Sequence, residues 1–66
     1  MQIQLNGQTH ECKPGTTVAV LLDETGHGEG RVAVEVNREI VSRSRHADRN
    51  LHEGDRVEIV QAIGGG

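Results

Sequence analysis

No position of this chain holds a phenylalanine, tyrosine or tryptophan. Aromatic rings bury roughly 150–250 Å² each and normally dominate a core. Without them the interior has to be assembled from Ile, Leu, Val and Ala. The chain has 66 residues, and a domain of about that size buries only about 60% of the surface its unfolded chain exposes. One thin aliphatic core, in a single domain over 1–66, is the most it can build. Such a core leaves no room for a deep substrate pocket, which argues against a free-standing enzyme with catalytic residues of its own.

The same absence removes the stacking platforms on which single-stranded nucleic acids are bound. A net charge of −3 argues further against nucleic acid or an anionic membrane as partner. No apolar run approaches the roughly 20 residues of a membrane span. The opening "MQIQLNG" has neither the basic nor the apolar region of a signal peptide. Cys12 is the single cysteine, so no disulfide can form within the chain, as expected for a cytoplasmic domain.

Apolar residues come in bursts with readable periods. Ile3 and Leu5 alternate with polar residues, and Asn6-Gly7 is a two-residue hairpin signal, so 2–6 and 8–12 read as an antiparallel pair. After the turn Lys13-Pro14-Gly15 the period changes. Val18, Leu21, Leu22 and Thr25 fall on one helical face, Thr17 suits the N-cap, and Gly26 suits the left-handed position past the helix end. The glycine-rich "GHGEG" reads as a loop. Val32, Val34 and Val36 alternate again, Asn37-Arg38 turns the chain, and "EIV" is a short strand. "SRSRHADRN" has no period and reads as loop, with room for one short helical turn. Leu51 is the lone apolar anchor before the turn "HEGD". The last strand is "RVEIVQAI", with Val57, Ile59 and Ile63 on one face and Val60 and Ala62 on the other. Apolar residues on both faces suit a central strand. The order ββ, helix, ββ, β is an α+β arrangement, a mixed sheet packed against one main helix. With the final strand returned beside the first, this is the β-grasp, or ubiquitin-like, fold.

End to end, the sequence resembles the ThiS family, the small sulfur carriers of thiamine biosynthesis. The resemblance rests on "PGTTVAVLL", on "VAVEVNREIV", and above all on "GDRVEIVQAIGGG". Family members often have proline before the arginine that follows the fourth strand, where this chain has Ser42. The resemblance implies a protein substrate rather than an enzyme. An E1-like (ThiF-like) adenylyltransferase would use ATP to adenylate the carboxylate of Gly66. Sulfur from a donor such as a cysteine desulfurase would convert the adenylate to a thiocarboxylate, and a thiazole synthase (ThiG-like) would take that sulfur. No cofactor is expected to be bound; the covalent thiocarboxylate is the cargo.

That chemistry suits the residues at the end of the chain. Gly64 and Gly65 have no Cβ, so a flexible tail over 64–66 can thread a narrow channel in a partner. An unhindered carbonyl at Gly66 leaves space for a tetrahedral centre and for oxyanion donors. Outward-facing Val60 and Ala62 are the candidate surface by which a partner holds the domain.

Each feature has a plainer reading. Three terminal glycines alone are more often a frayed tail than a reactive group; the strand pattern before them and an end at glycine shift the balance. Cys12 reads as an inert strand cysteine unless a neighbour lowers its pKa. His10, His27, His46 and His52 lack metal-site spacing and read as scattered surface residues. Arg43, Arg45 and Arg49 form a small basic loop, which is most often simply solvated. Three other functions share parts of the pattern. A molybdopterin-type or other sulfur carrier would share fold and tail. A ubiquitin-like modifier would form isopeptide adducts, and a plain β-grasp binding module would not need Gly66.

Overall fold

The computed structural model describes residues 1–28 and 31–61; Glu29, Gly30 and residues 62–66 lie outside the described residues. Strands β1 (Gln2–Leu5) and β2 (Gln8–Glu11) form the expected hairpin, with Leu5 opposite Gln8. Both turn residues are left-handed, with φ of 49° at Asn6 and 84° at Gly7, as a type I′ turn requires. Helix α1 (Val18–Glu24) follows, then β3 (Val32–Val36) and β4 (Glu39–Val41). A single 3-10 turn (Arg43–Arg45) precedes β5 (Arg56–Gln61). The sheet order is β2-β1-β5-β3-β4. β5 runs parallel to β1 and antiparallel to β3, so the last strand is central and the first is its neighbour, the β-grasp arrangement.

One face of this sheet is covered by α1. Ile3, Val34, Val36, Val57 and Ile59 from the strands meet Val18, Leu21 and Leu22 from the helix, with Leu51 closing one end. All are aliphatic. The valines are stiff at χ1 and stand well on a pleated surface.

Helix α1 has only seven residues, too few to persist without tertiary support. Its ends are therefore secured. At the C-terminus Gly26 takes φ 83°. The amides of Gly26 and His27 return to the carbonyls of Asp23 (3.3 Å) and Leu22 (2.7 Å), which is a Schellman motif. At the N-terminus the Thr17 hydroxyl accepts from the Val20 amide at 3.2 Å, as expected of an N-cap. The two preceding amides find partners that the sequence reading did not anticipate. Val18 donates to the carbonyl of Arg49 (3.0 Å) and Ala19 to that of His46 (2.9 Å).

The segment read as a free polar loop thus serves as a clamp on the helix start. His46 is buried at 8% exposure, which corrects its assignment to the surface; His27 and His10 are half-buried, and only His52 of the four is fully exposed. The His46 Nε2 lies 3.1 Å from the carbonyl oxygen of Val41. A carbonyl can only accept, so Nε2 carries the proton. Leu51 is the buried apolar residue of this region, as expected, and His46 adds a polar anchor near it in the sequence. The Leu51 amide donates to Thr16 at 2.9 Å, and Thr17 bridges Asn50.

Candidate functional site

The central strand leads directly to the residues expected to react. Val57 and Ile59 face the core, while Arg56, Glu58 and Val60 face outward. β5 is gripped by an asparagine on each side. On the β1 side the Asn6 side chain accepts from the Ile59 amide (2.8 Å) and donates to the Ile59 carbonyl (3.3 Å), extending the ladder where β1 turns away. On the β3 side Asn37 accepts from the Arg56 amide through Oδ1 (2.9 Å), and its own amide donates to the Arg56 carbonyl (2.7 Å). Beyond Ile59 the pairings of β5 are with β3 alone, Val60 with Ala33 and Gln61 with Val32. β5 is therefore hydrogen-bonded on both sides up to Ile59 and, among the described residues, on one side only beyond it.

Val60 stands at 64% exposure, as expected of a candidate docking residue. Apolar character on both faces of β5 therefore reflects a central strand whose outer face is left uncovered by the described residues. Ala62, the second candidate, and Gly64, Gly65 and Gly66 lie outside the described residues, as does Ile63. The register adds residues that the sequence reading missed. Ala33 sits directly opposite Val60, Glu35 opposite Glu58, and Ile40 opposite Glu35. Ile40 is 79% exposed. The outer face near the end of β5 thus joins three exposed aliphatic side chains to a pair of carboxylates. The only sequence signal for this face was the alternation within each strand. Which strands lie side by side was not encoded locally.

The other candidates fall away from this face. Cys12 is half-buried where β2 ends, its thiol pushed up from the ordinary 9.0 by burial. The N-terminal ammonium opposes that rise, and Glu24 and Glu11 reinforce it. A raised thiol is a poor nucleophile at neutral pH. Among the described residues no group of three His, Cys, Asp or Glu side chains could hold a metal ion. Arg43 and Arg45 are exposed on the 3-10 turn, and Arg49 Nη1 donates to the Asn50 carbonyl at 3.2 Å. The arginines lie on a segment whose backbone caps α1. No helix among the described residues is long and apolar enough to cross a membrane.

Comparison with known proteins places this geometry among relatives. The ThiS family profile matches residues 3–66. The sulfur carrier protein ThiS of Escherichia coli is 35% identical over 66 residues, the whole of both chains. A crystal structure of the thiamine biosynthesis protein ThiS from Geobacter metallireducens superimposes with a TM-score of 0.85 at 28% identity, covering 100% of each chain. The thiazole synthase of Magnetococcus marinus is 44% identical over 66 residues. The chain spans 20% of that protein's length, about a fifth.

Proposed function

The chain belongs to the ThiS family, and from that membership we propose that it is a sulfur carrier for the thiazole moiety of thiamine, with Gly66 as the carrying residue. A carboxylate is a poor electrophile. In the proposed cycle a Gly66 carboxylate oxygen attacks the α-phosphorus of ATP in the site of an E1-like adenylyltransferase, and pyrophosphate leaves. A sulfur nucleophile, such as the persulfide of a cysteine desulfurase, then attacks the acyl carbon. AMP departs with the C–O electron pair, leaving an acyl disulfide to the donor cysteine; a thiol then attacks the donor sulfur, forms a disulfide with it, and the S–S electron pair leaves with the thiocarboxylate. The domain contributes recognition and delivery; the ATP chemistry belongs to its cytoplasmic partner.

One observation carries this reading: family membership extends through the terminal Gly-Gly-Gly, on a fold that directs its central strand toward it. Support for a thiazole synthase as recipient comes from the two thiazole synthases, of Magnetococcus marinus and Paramagnetospirillum magneticum, that match this whole chain over 20% of their own length. Ordering three glycines in a partner's channel costs roughly 1–2 kcal/mol each, so the domain must supply compensating contacts. The exposed Val60, with Ala62 beyond it, is the proposed source.

The test is intact-mass measurement after incubation with the adenylyltransferase of the same host, ATP and a sulfur donor. The expected product differs from the starting protein by one sulfur in place of one oxygen, and removal of Gly66 abolishes it. An unchanged mass, or a function that survives loss of Gly66, would favour a plain binding module instead.

A further inference from the structure

The outer face of the sheet contains an arrangement that folding alone does not favour. Glu35 on β3 and Glu58 on β5 are direct cross-strand partners. Side chains so placed have Cβ atoms about 4.5–5.5 Å apart, and like charges there repel. Neither carboxylate has an ion-pair partner among the described residues. The one cation on the same face of β5 is Arg56, at the next outward position beyond Glu58 and opposite Gln4. It makes no ion pair with either glutamate. The two carboxylates are bordered by aliphatic side chains, the cross-strand pair Val60 and Ala33 toward the end of β5 and Ile40 on β4. Val60 and Ile40 are the two most exposed large apolar residues among those described.

We propose that Glu35 and Glu58 form an anionic socket for a lysine or arginine side chain of the adenylyltransferase, seated between them while Val60, Ala33 and Ile40 pack against apolar groups around that cation. The proposal rests on the sulfur-carrier reading and specifies how the partner is recognised. An unneutralised carboxylate pair flanked by apolar surface is complementary to one kind of occupant, a cation with an aliphatic stem or a planar guanidinium. Docking relieves the repulsion that the free domain carries. The same acidity rejects partners that present carboxylates or phosphates.

This arrangement predicts opposite signs for stability and binding. Glu35→Gln and Glu58→Gln, singly and together, remove the repulsion while keeping side-chain size. Urea denaturation should show the variants at least as stable as wild type. Affinity for the adenylyltransferase, measured by titration calorimetry with the purified enzyme, should fall about tenfold for the double variant. Its loss of affinity between low and high salt should be shallower than that of wild type. Adenylation of the double variant at saturating enzyme should still occur, because the substitutions leave Gly66 and its carboxylate unaltered. Wild-type affinity and salt dependence in the double variant would overturn the socket. So would a loss of binding matched by a loss of folded stability, since that would mark a purely structural pair. If wild-type protein is never adenylated, the sulfur-carrier reading fails and takes this inference with it. If wild type is adenylated and the variants bind equally well, the inference fails alone.

Discussion

Asn6 and Arg38 occupy the same kind of backbone position with different success. Asn6 takes φ 49° and uses its amide to clip Ile59. Arg38 takes φ 70°, where a side chain with a Cβ costs roughly 1–2 kcal/mol. Arg38→Gly should therefore raise stability by about 0.5–1 kcal/mol after the added freedom of the unfolded chain is counted. Asn6→Ala should lower it by about 2 kcal/mol, from two lost hydrogen bonds and a residue less tolerant of positive φ. Urea midpoints for the two variants should move in opposite directions. Cys12 makes a pH-dependent contribution. Its thiol is raised in the fold by burial, so the folded state holds this proton more tightly than the unfolded chain. The stability it contributes is whole below the ordinary 9.0 and is lost as pH climbs from there through the raised folded-state value. Thermal melts from about pH 8 upward should show a shallower alkaline decline in Cys12→Ser than in wild type.

Helix α1 depends on a segment distant in sequence. The Thr17 cap and Gly26 terminus were legible because both act within a few residues of the helix. The Arg49 and His46 carbonyls were not, because they arrive only when residues 42–50 fold back over the helix start. His46 holds that fold-back in place through its buried ring and its hydrogen bond to Val41. His46→Ala should cost about 2 kcal/mol, from lost packing and an orphaned carbonyl. His46→Leu should recover only the packing part. Helical circular dichroism should fall with His46→Ala before the sheet is lost, since the seven residues of α1 cannot persist without their caps.

For the molecule as a whole, the sheet separates two functions. Its inner face holds the fold together and its outer face is the proposed partner surface. Val60→Asp tests that division. The side chain is solvent-exposed and pairs across to Ala33, so folding should weaken by only about 1 kcal/mol, from the poor strand propensity of Asp and its repulsion by Glu35 and Glu58. Adenylation at limiting enzyme should drop by about tenfold or more, because a charge replaces an apolar contact beside an already anionic pair. Unchanged adenylation kinetics in a folded Val60→Asp variant would remove Val60 from the partner surface.

Local signals were sufficient for most of the architecture. Alternation marked the strands, a change of period marked the helix, and Asn6-Gly7 and Asn37-Arg38 marked two hairpins, because each of these depends on neighbours within a few residues. The resemblance of "GDRVEIVQAIGGG" carried the family, since that stretch joins the central strand to the terminal glycines. Long-range register supplied the rest. That Glu35 meets Glu58, that Ala33 lies beside Val60, and that His46 is buried within a stretch otherwise rich in exposed charge all follow from chain segments brought together by a shared core. Strand alternation tells a residue which face it occupies but not which residue it will meet there. Only closure of the sheet around β5 sets those pairs.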